Sequence, residues 1–183
     1  YKVLGHTIDD AAGEAFDKFA KRLGLGFPGG VRVDELAKTG DTQAFQFPRP
    51  LLRANNFNFS FSGLKTSATR LLDTMSLDEQ KAKVNDLCAS YQEAIVDVLL
   101  AKIERAMKSF KQTKAVITGG VSANSRLRQK SRRWAEENSY ELVIPPLRYC
   151  TDNAAMIGLV GIQRLNRGEQ SSQTLGPSPK LLE

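Results

Sequence analysis

Ala-Val-Ile-Thr-Gly-Gly-Val-Ser-Ala-Asn, residues 115–124, is the stretch that decides the fold of this chain. Its first four residues are typical of a buried strand, and the glycine pair then marks a sharp turn. A helical pattern follows over residues 123–137, a second strand pattern over 141–144 and a second helical pattern over 151–165. Strands that alternate with helices in this way build a parallel or mixed sheet covered by helices. The sequence therefore predicts a βαβα unit over residues 113–168.

The residues before this unit, 1–112, have a mostly helical pattern. The spacing of apolar residues predicts a first helix that ends near Leu23, with Asp9 or Asp10 as its N-cap. A long loop region follows, with one short helix around residues 33–38. We expect this part to form a largely helical subdomain.

Two further patterns complete the helical part. Residues 57–61 alternate apolar and polar side chains, which predicts a strand, and a helix is predicted after it over residues 64–72. Ser76 and Glu79 form a capping box ahead of one apolar stripe that continues to Phe110. This stripe predicts a long helix that is buried along much of its length.

The composition is that of a globular chain without a membrane span or a secretory signal. The 183 residues include 26 Lys and Arg against 20 Asp and Glu, and the net charge of +6 fits either a polyanionic partner or a solubilising surface. Cys88 and Cys150 form no Cys-x-x-Cys pair, so we expect a reducing, cytoplasmic location. No run of eighteen or more apolar residues occurs, so we expect no membrane partner. Tyr1 in place of Met predicts a fragment, and the polar residues 169–183 predict an irregular tail.

The turn after the first strand has the residue types of a nucleotide site. Gly119 and Gly120 let a ligand approach the backbone, and the following helix N-terminus presents free N–H donors. Asn124 adds an amide that can read a ribose hydroxyl or a base edge. A plain tight turn would use the same glycines, so both interpretations stay open.

A matching loop follows the second strand. We expect Thr151 to be the N-cap of the next helix and Asp152 to lie in its first turn. Ligands bind beyond the carboxyl ends of parallel strands, so we expect Asn124 and Asp152 to face one cleft. An acid that only stabilises a helix start is the alternative for Asp152.

Acidic residues form a stripe on the first helix. Asp10, Glu14 and Asp17 lie at positions i, i+4 and i+7, where like charges repel. The helix dipole can offset this repulsion near the helix start, but Asp17 lies too far along the helix to gain from it. We therefore expect Asp17 to accept hydrogen bonds from ligand hydroxyls.

Basic residues crowd two other helices, in one case beside Trp134. Phosphate contact and a solvated helix face are both compatible with their spacing. His6 has no metal-ligand partner at a suitable spacing and is expected on the surface. The clustered residues are Arg126, Arg128, Lys130, Arg132 and Arg133 on one helix, and Lys102, Arg105, Lys108, Lys111 and Lys114 near the end of the long one.

Five ordered segments together resemble the TsaD family, which are tRNA threonylcarbamoyltransferases. They cover residues 8–18, 27–30, 59–66, 119–124 and 150–155 and so extend along most of the chain. The resemblance implies an α/β fold of the actin-like, Hsp70-like ATPase class, also called ASKHA and RNase H-like. This chain would supply one lobe with a largely helical subdomain, incomplete relative to the full two-lobed fold.

The resemblance also implies a reaction and its ligands. TsaD enzymes are acyltransferases that move threonylcarbamoyl from threonylcarbamoyl-AMP to N6 of adenosine 37 in tRNAs that read ANN codons. By resemblance, Asp17, Gly30 and Asn124 contact the nucleotide, which is threonylcarbamoyl-AMP, ATP or AMP. Gly119 and Gly120 support it from the loop. TsaB-like and TsaE-like proteins are the implied partners.

A metal ion is implied as well. The resemblance makes Asp152 the carboxylate ligand of one divalent ion, iron or zinc. The family's His-x-x-x-His motif and Ser-Gly-Gly-His-Thr loop lie upstream, and neither occurs in this sequence, so this chain alone is expected to be inactive. Two alternatives stay open: a metalloendopeptidase, which is the family's older label, and a non-catalytic fragment that binds nucleotide or tRNA.

Overall fold

The computed structural model describes residues 2–174 and 176, and the chain divides into two compact units, Tyr1–Cys150 and Thr151–Glu183. Within its described residues, the first unit contains six α-helices, two strands and two short 3-10 helices. The helices are α1 (Ala12–Arg22), α2 (Gly29–Ala37), α3 (Ser62–Asp73), α4 (Leu77–Ala82), α5 (Val84–Ser109) and α6 (Ser125–Glu137). The strands are β1 (Lys114–Val116) and β2 (Glu141–Val143), and the 3-10 helices are Gly120–Ala123 and Leu147–Tyr149. The predicted domain boundary after residue 112 stays a prediction.

The sheet confirms the first strand–helix–strand order that the sequence predicts. β1 and β2 are parallel, with Ala115 opposite Leu142, and α6 forms the crossover between them. Ile117 and Leu142 pack with Leu127 of α6 in a small apolar cluster that also contains Val96 of α5. Each strand has three residues, of which only the middle one is partly buried. The fold is mixed α/β, mostly helical with a small parallel sheet.

The helical core is built around α5, which confirms the predicted apolar stripe. The ring of Tyr91 stacks on that of Phe19 with the ring centroids 3.9 Å apart, and its hydroxyl donates to the carbonyl of Ala15. Burial of one such aromatic side chain contributes ~1.5–3 kcal/mol to folding. Cys88 is buried in the same cluster, and burial raises the pKa of its thiol to about 12. The thiol therefore behaves as a small apolar group.

The prediction that Asp9 or Asp10 caps α1 is wrong. Ala11 is the N-cap residue, and the carboxylate of Glu14 accepts the backbone N–H of Ala11. Asp9 instead accepts the backbone N–H of Phe61 at 2.7 Å, next to the start of α3. The carboxylate of Asp9, which the local sequence assigns to the N-cap of α1, is thus bonded to a residue that is distant in sequence.

Two local predictions in the loop regions also differ from the structure. Residues 57–61 form no strand, because only Phe59 pairs, in an isolated parallel bridge with Thr7. The short helix predicted around residues 33–38 is α2, and it begins earlier, at Gly29.

The capping box ahead of the long helix is confirmed. The hydroxyl of Ser76 accepts the N–H of Glu79, whose carboxylate accepts the N–H of Ser76. The helix that it starts is the short α4, however, because the chain leaves helical geometry at Lys83 before α5 begins. The predicted single helix is therefore two.

The second unit contains α7 (Ala154–Asn166). Its N-cap is Asn153, whose Oδ1 accepts the N–H of Met156 at 3.1 Å, so the predicted cap, Thr151, is wrong. Asp152 precedes the helix and does not lie in its first turn. Residues 169–174 form neither helix nor strand, and nearly all the rest of the predicted tail lies outside the described residues. None of the described helices has the length and apolar character that crossing a membrane requires.

Candidate functional site

The turn between β1 and α6 is open. Gly119 has a φ of 89°, in the left-handed region that favours glycine. A Cβ added at Gly119 or Gly120 would meet nothing within 4 Å, so a ligand has room to approach this backbone. After the 3-10 helix Gly120–Ala123 comes the N-terminus of α6, capped by Asn124, whose Oδ1 accepts the N–H of Leu127 at 2.9 Å. An accessible backbone beside a helix N-terminus is the geometry that a phosphate or nucleotide needs.

Both the oxygen and the nitrogen of the Asn124 side-chain amide form hydrogen bonds within the protein. While Oδ1 caps α6, Nδ2 donates to Oε1 of Gln92 on α5 at 2.6 Å. Asn124 is only 8% exposed and Gln92 only 4%. One hydrogen of Nδ2 remains for a ligand, because each bond uses one donor or one acceptor position. Asn124 thus has a structural role beside the predicted contact with a nucleotide.

Two other helices meet the same turn. The carboxylate of Asp34, on α2, accepts both the N–H of Ser125 at 3.1 Å and its hydroxyl at 2.7 Å. On α1, a Cβ added at Gly13 would lie 3.6 Å from Cγ2 of Val121. The turn is therefore held by α1 and α2 as well as by α5.

Asp17 and Gly30 lie close together where α1 meets α2. Oδ1 of Asp17 accepts the N–H of Gly29, the first residue of α2, at 2.9 Å. A Cβ at Gly29 would lie 2.7 Å from Cα of Asp17, whereas a Cβ at Gly30 would meet nothing nearer than Cβ of Phe16 at 3.7 Å. The structure therefore brings Asp17 and Gly30 close together, and α2 also bonds to Ser125 at the start of α6. That Asp17, Gly30 and Asn124 face one nucleotide stays a prediction.

Two acids of the predicted stripe, Asp10 just before α1 and Glu14 on it, pair with Lys18, which the sequence interpretation left out. Nζ of Lys18 lies 2.6 Å from a carboxylate oxygen of Asp10 and 2.7 Å from one of Glu14. The hydrogen bond from Lys18 lowers the pKa of Asp10, and the charge of Lys65 adds to the effect. Lys18 thus offsets the repulsion between Asp10 and Glu14.

The basic cluster on α6 is largely paired inside the protein. Arg126 and Lys130 both bind the carboxylate of Glu93, and Lys130 also contacts Asp97 at 2.5 Å. Burial opposes ionisation of Glu93, but the hydrogen bonds from Arg126 and Lys130 outweigh it and lower its pKa. Arg49 binds the other oxygen of Asp97 at 2.9 Å. These cations hold α6 on α5 and are not arranged as a free phosphate-binding surface.

Most of the remaining basic residues are also engaged. Arg128 donates to the carbonyl of Pro145, and Lys102 and Arg105 donate to carbonyls of the loop before α3. Three others form ion pairs, which are Lys108 with Glu104, Lys114 with Glu141, and Arg133 with Glu137. Within the described part of the chain, Arg132 and Lys111 donate no side-chain hydrogen bond and form no ion pair.

The metal ligand that the resemblance implies, Asp152, belongs to the second unit. Across residues 2–174 and 176, no three His, Cys, Asp or Glu side chains form a group that could hold a metal ion. His6 is exposed, as predicted. Asn124 and Asp152 lie in different units, so their shared cleft stays a prediction. The described residues alone do not fit a metal site.

Three residues that shape the site escaped sequence interpretation. Asp34 looks like an ordinary residue of a short helix, and Gly29 lies in the segment 27–30 of the family resemblance, which gave it no role of its own. Gln92 carries a signal that could have found it, because it interrupts the buried stripe between Cys88 and Ile95. A polar side chain at a buried helix position needs a hydrogen-bond partner.

Comparison with known proteins assigns the class of this chain. A family model described as TsaD: tRNA N6-adenosine threonylcarbamoyltransferase matches residues 1–159. The tRNA N6-adenosine threonylcarbamoyltransferase of Bdellovibrio bacteriovorus is 60% identical over 182 residues, which cover 100% of this chain and 53% of that relative. The proteins of the same name from Thermosipho africanus and Anaeromyxobacter dehalogenans are 47% and 49% identical, over 98% of this chain and 54% of each relative.

The chain belongs to the TsaD family. It spans about half the length of the curated relatives that it matches. The mixed α/β structure is consistent with this membership.

Proposed function

We propose that this chain supplies the C-terminal, nucleotide-binding part of an enzyme that transfers threonylcarbamoyl to tRNA. The donor is threonylcarbamoyl-AMP, and the acceptor is N6 of adenosine 37 in tRNAs that read ANN codons. The observation that supports this most is the linkage of Asp17, Gly30 and the open turn at Gly119 by α1 and α2. The Bdellovibrio bacteriovorus relative named for this reaction aligns with the whole of this chain.

Each residue has a defined part in holding the nucleotide. One carboxylate oxygen of Asp17 is used by Gly29, and the other accepts hydrogen bonds from ribose hydroxyls. The open backbone at Gly119 and Gly120 lies against the phosphate. The free hydrogen of Asn124 Nδ2 is donated to the sugar or the base. Together they bind and orient the donor.

The reaction is an acyl transfer. The N6 amine of the adenosine attacks the carbamoyl carbon of the mixed anhydride and loses a proton. The bond from that carbon to the phosphate oxygen breaks, and AMP leaves with the electron pair. Fixed placement of the donor contributes to the rate because it converts part of the encounter into an intramolecular step.

Asp152 is proposed as one carboxylate ligand of an iron or zinc ion. The family's His-x-x-x-His motif does not occur in this sequence, so the other ligands would come from outside this chain, and we assign no step to the ion. For the same reason we expect this chain alone to be inactive. The complete protein is proposed to be cytoplasmic and to work with TsaB-like and TsaE-like partners.

The test is threonylcarbamoyl transfer to tRNA by the complete protein that carries these residues, with and without the Asp152→Ala substitution. The proposal expects transfer by the unsubstituted protein and a large loss in the variant. No transfer with any ANN-decoding tRNA would contradict the function, and full transfer by the variant would contradict the role of Asp152. Cleavage of a glycoprotein substrate in place of transfer would favour the endopeptidase, and salt-sensitive tRNA binding without transfer would favour a binding fragment.

A further inference from the structure

The geometry points to Gln92 as a positioning residue of the nucleotide site. We propose that Oε1 of Gln92 fixes the amide of Asn124 so that the second hydrogen of its Nδ2 faces the nucleotide. This inference rests on the proposed function, because it gives Asn124 a ligand to face.

The two hydrogen bonds of Asn124 leave only one orientation for its amide. The N–H of Leu127 needs an acceptor, so Oδ1 must point to it and Nδ2 must point to Gln92. Gln92 must then present Oε1 and not its own amino group. The 2.6 Å separation of Asn124 Nδ2 and Gln92 Oε1 and the burial of both side chains make this contact well defined.

Gln92 is not needed to hold α6 in place. The next residue of α5, Glu93, already binds Arg126 and Lys130 through its carboxylate. On the other side, Asp34 holds the N–H and hydroxyl of Ser125. Loss of the Gln92 contact should therefore release the amide of Asn124 while the helix stays anchored.

The side-chain amide of Gln92 also has a donor of its own, Nε2. Within the described part of the chain, its Nε2 donates to no backbone or side-chain acceptor. A glutamine in an otherwise apolar stripe costs stability unless it is bonded, so its presence between Cys88 and Ile95 is explained by this contact. The pair of amides forms one hydrogen-bonded unit behind the open glycine turn.

The experiment measures AMP affinity by calorimetry and the melting temperature of the complete protein. Gln92→Met is expected to weaken AMP binding about tenfold, the effect of losing one well-placed hydrogen bond. Gln92→Glu keeps an oxygen acceptor for Nδ2 of Asn124 but adds a buried negative charge beside Glu93, so it should recover only part of the affinity. Gln92→Ser serves if the Met variant does not fold, because a water can then satisfy Nδ2 without fixing it.

The matched control is Gln80→Met. Gln80 is also a buried glutamine, but its Nε2 donates to the carbonyls of Leu72 and Met75, away from the turn. We expect this variant to lower the melting temperature and leave AMP affinity unchanged. In the double variant Gln92→Met with Asn124→Ser, affinity should fall no further than in Asn124→Ser alone, because both changes remove the same contact.

The outcomes separate the two proposals. If Asn124→Ser weakens AMP binding and the Gln92 variants do not, the role of Gln92 is overturned and the nucleotide site stands. If neither Asn124→Ser nor Asp17→Asn changes AMP binding, the nucleotide site of the proposed function fails, and the role of Gln92 fails with it. Weakening in Gln92→Met without recovery in Gln92→Glu would also overturn the positioning role.

Discussion

Oδ1 of Asp17 accepts the backbone N–H of Gly29 at 2.9 Å and so joins α1 to the first turn of α2. The carboxylate lies this close because Gly29 has no side chain. The bond uses one oxygen of Asp17 and leaves the other for a ligand. The acid is thus held in place by the helix that also carries Gly30.

The two glycines at the start of α2 should respond differently to alanine. In Gly29→Ala the new Cβ would lie 2.7 Å from both Cβ of Ala20 and Cα of Asp17. We expect a loss of ~1–3 kcal/mol in the free energy of unfolding, measured by urea denaturation. In Gly30→Ala the nearest atom is 3.7 Å away, and we expect unchanged or slightly higher stability. Equal losses in the two variants would contradict this packing.

The lowered pKa of Glu93 predicts a pH dependence of stability. Burial works against ionisation, but hydrogen bonds from Arg126 and Lys130 keep the folded pKa below the ordinary value of 4.5. The unfolded chain therefore takes up its proton first, and the contribution of Glu93 is lost as the pH falls through the folded pKa. Urea denaturation from neutral pH to about pH 3 should give a smaller loss of stability for Glu93→Gln than for the unsubstituted protein.

The control for this pH series is Glu136→Gln. Glu136 is an exposed acid on α6 whose carboxylate accepts no hydrogen bond from the described residues. Its removal should leave the pH dependence unchanged. A Glu93→Gln curve that overlays the unsubstituted one would contradict the assignment.

The pairing of the basic residues on α6 predicts how tRNA binding responds to salt. Arg126 already binds Glu93, so Arg126→Met should lower the free energy of unfolding and leave the slope of tRNA affinity against salt unchanged. Arg132→Met is the comparison. If Arg132 contacts phosphate, its loss should reduce the slope of tRNA affinity against salt by about 1. A reduced slope in folded Arg126→Met would show that this residue contacts phosphate after all.

Elements whose signal is local could be predicted from the sequence. The stripe around Tyr91 predicts α5 because it runs for several turns, and the glycine turn at Gly119 predicts the strand-to-helix corner. The wrong predictions concern residues whose hydrogen-bond partner is distant in sequence. Asp9 caps nothing nearby because it accepts from Phe61, and Phe59 pairs with Thr7 in a single bridge where the alternating pattern predicts a strand.

The candidate site was predictable only in part for the same reason. The acid at Asp17 and the amide at Asn124 are visible in the sequence, since a like-charged stripe and a glycine turn mark them. The sequence marks Gln92 as a polar residue in a buried stripe, but it does not show which residue Gln92 pairs with. Gln92 and Asp34 lie 32 and 91 residues from Asn124 and Ser125, and no local pattern relates residues so far apart.

The most direct measurement of the central claim is kcat/KM for threonylcarbamoyl transfer to tRNA by the complete protein with Asp17→Asn. The asparagine oxygen can still accept the N–H of Gly29, so the fold is kept while one ligand acceptor is lost. We predict a fall of about 10- to 100-fold, the effect of removing hydrogen bonds to a charged group. Asp73→Asn, which changes only an exposed partner of Arg22, should match the unsubstituted protein. A full rate in Asp17→Asn would contradict the account.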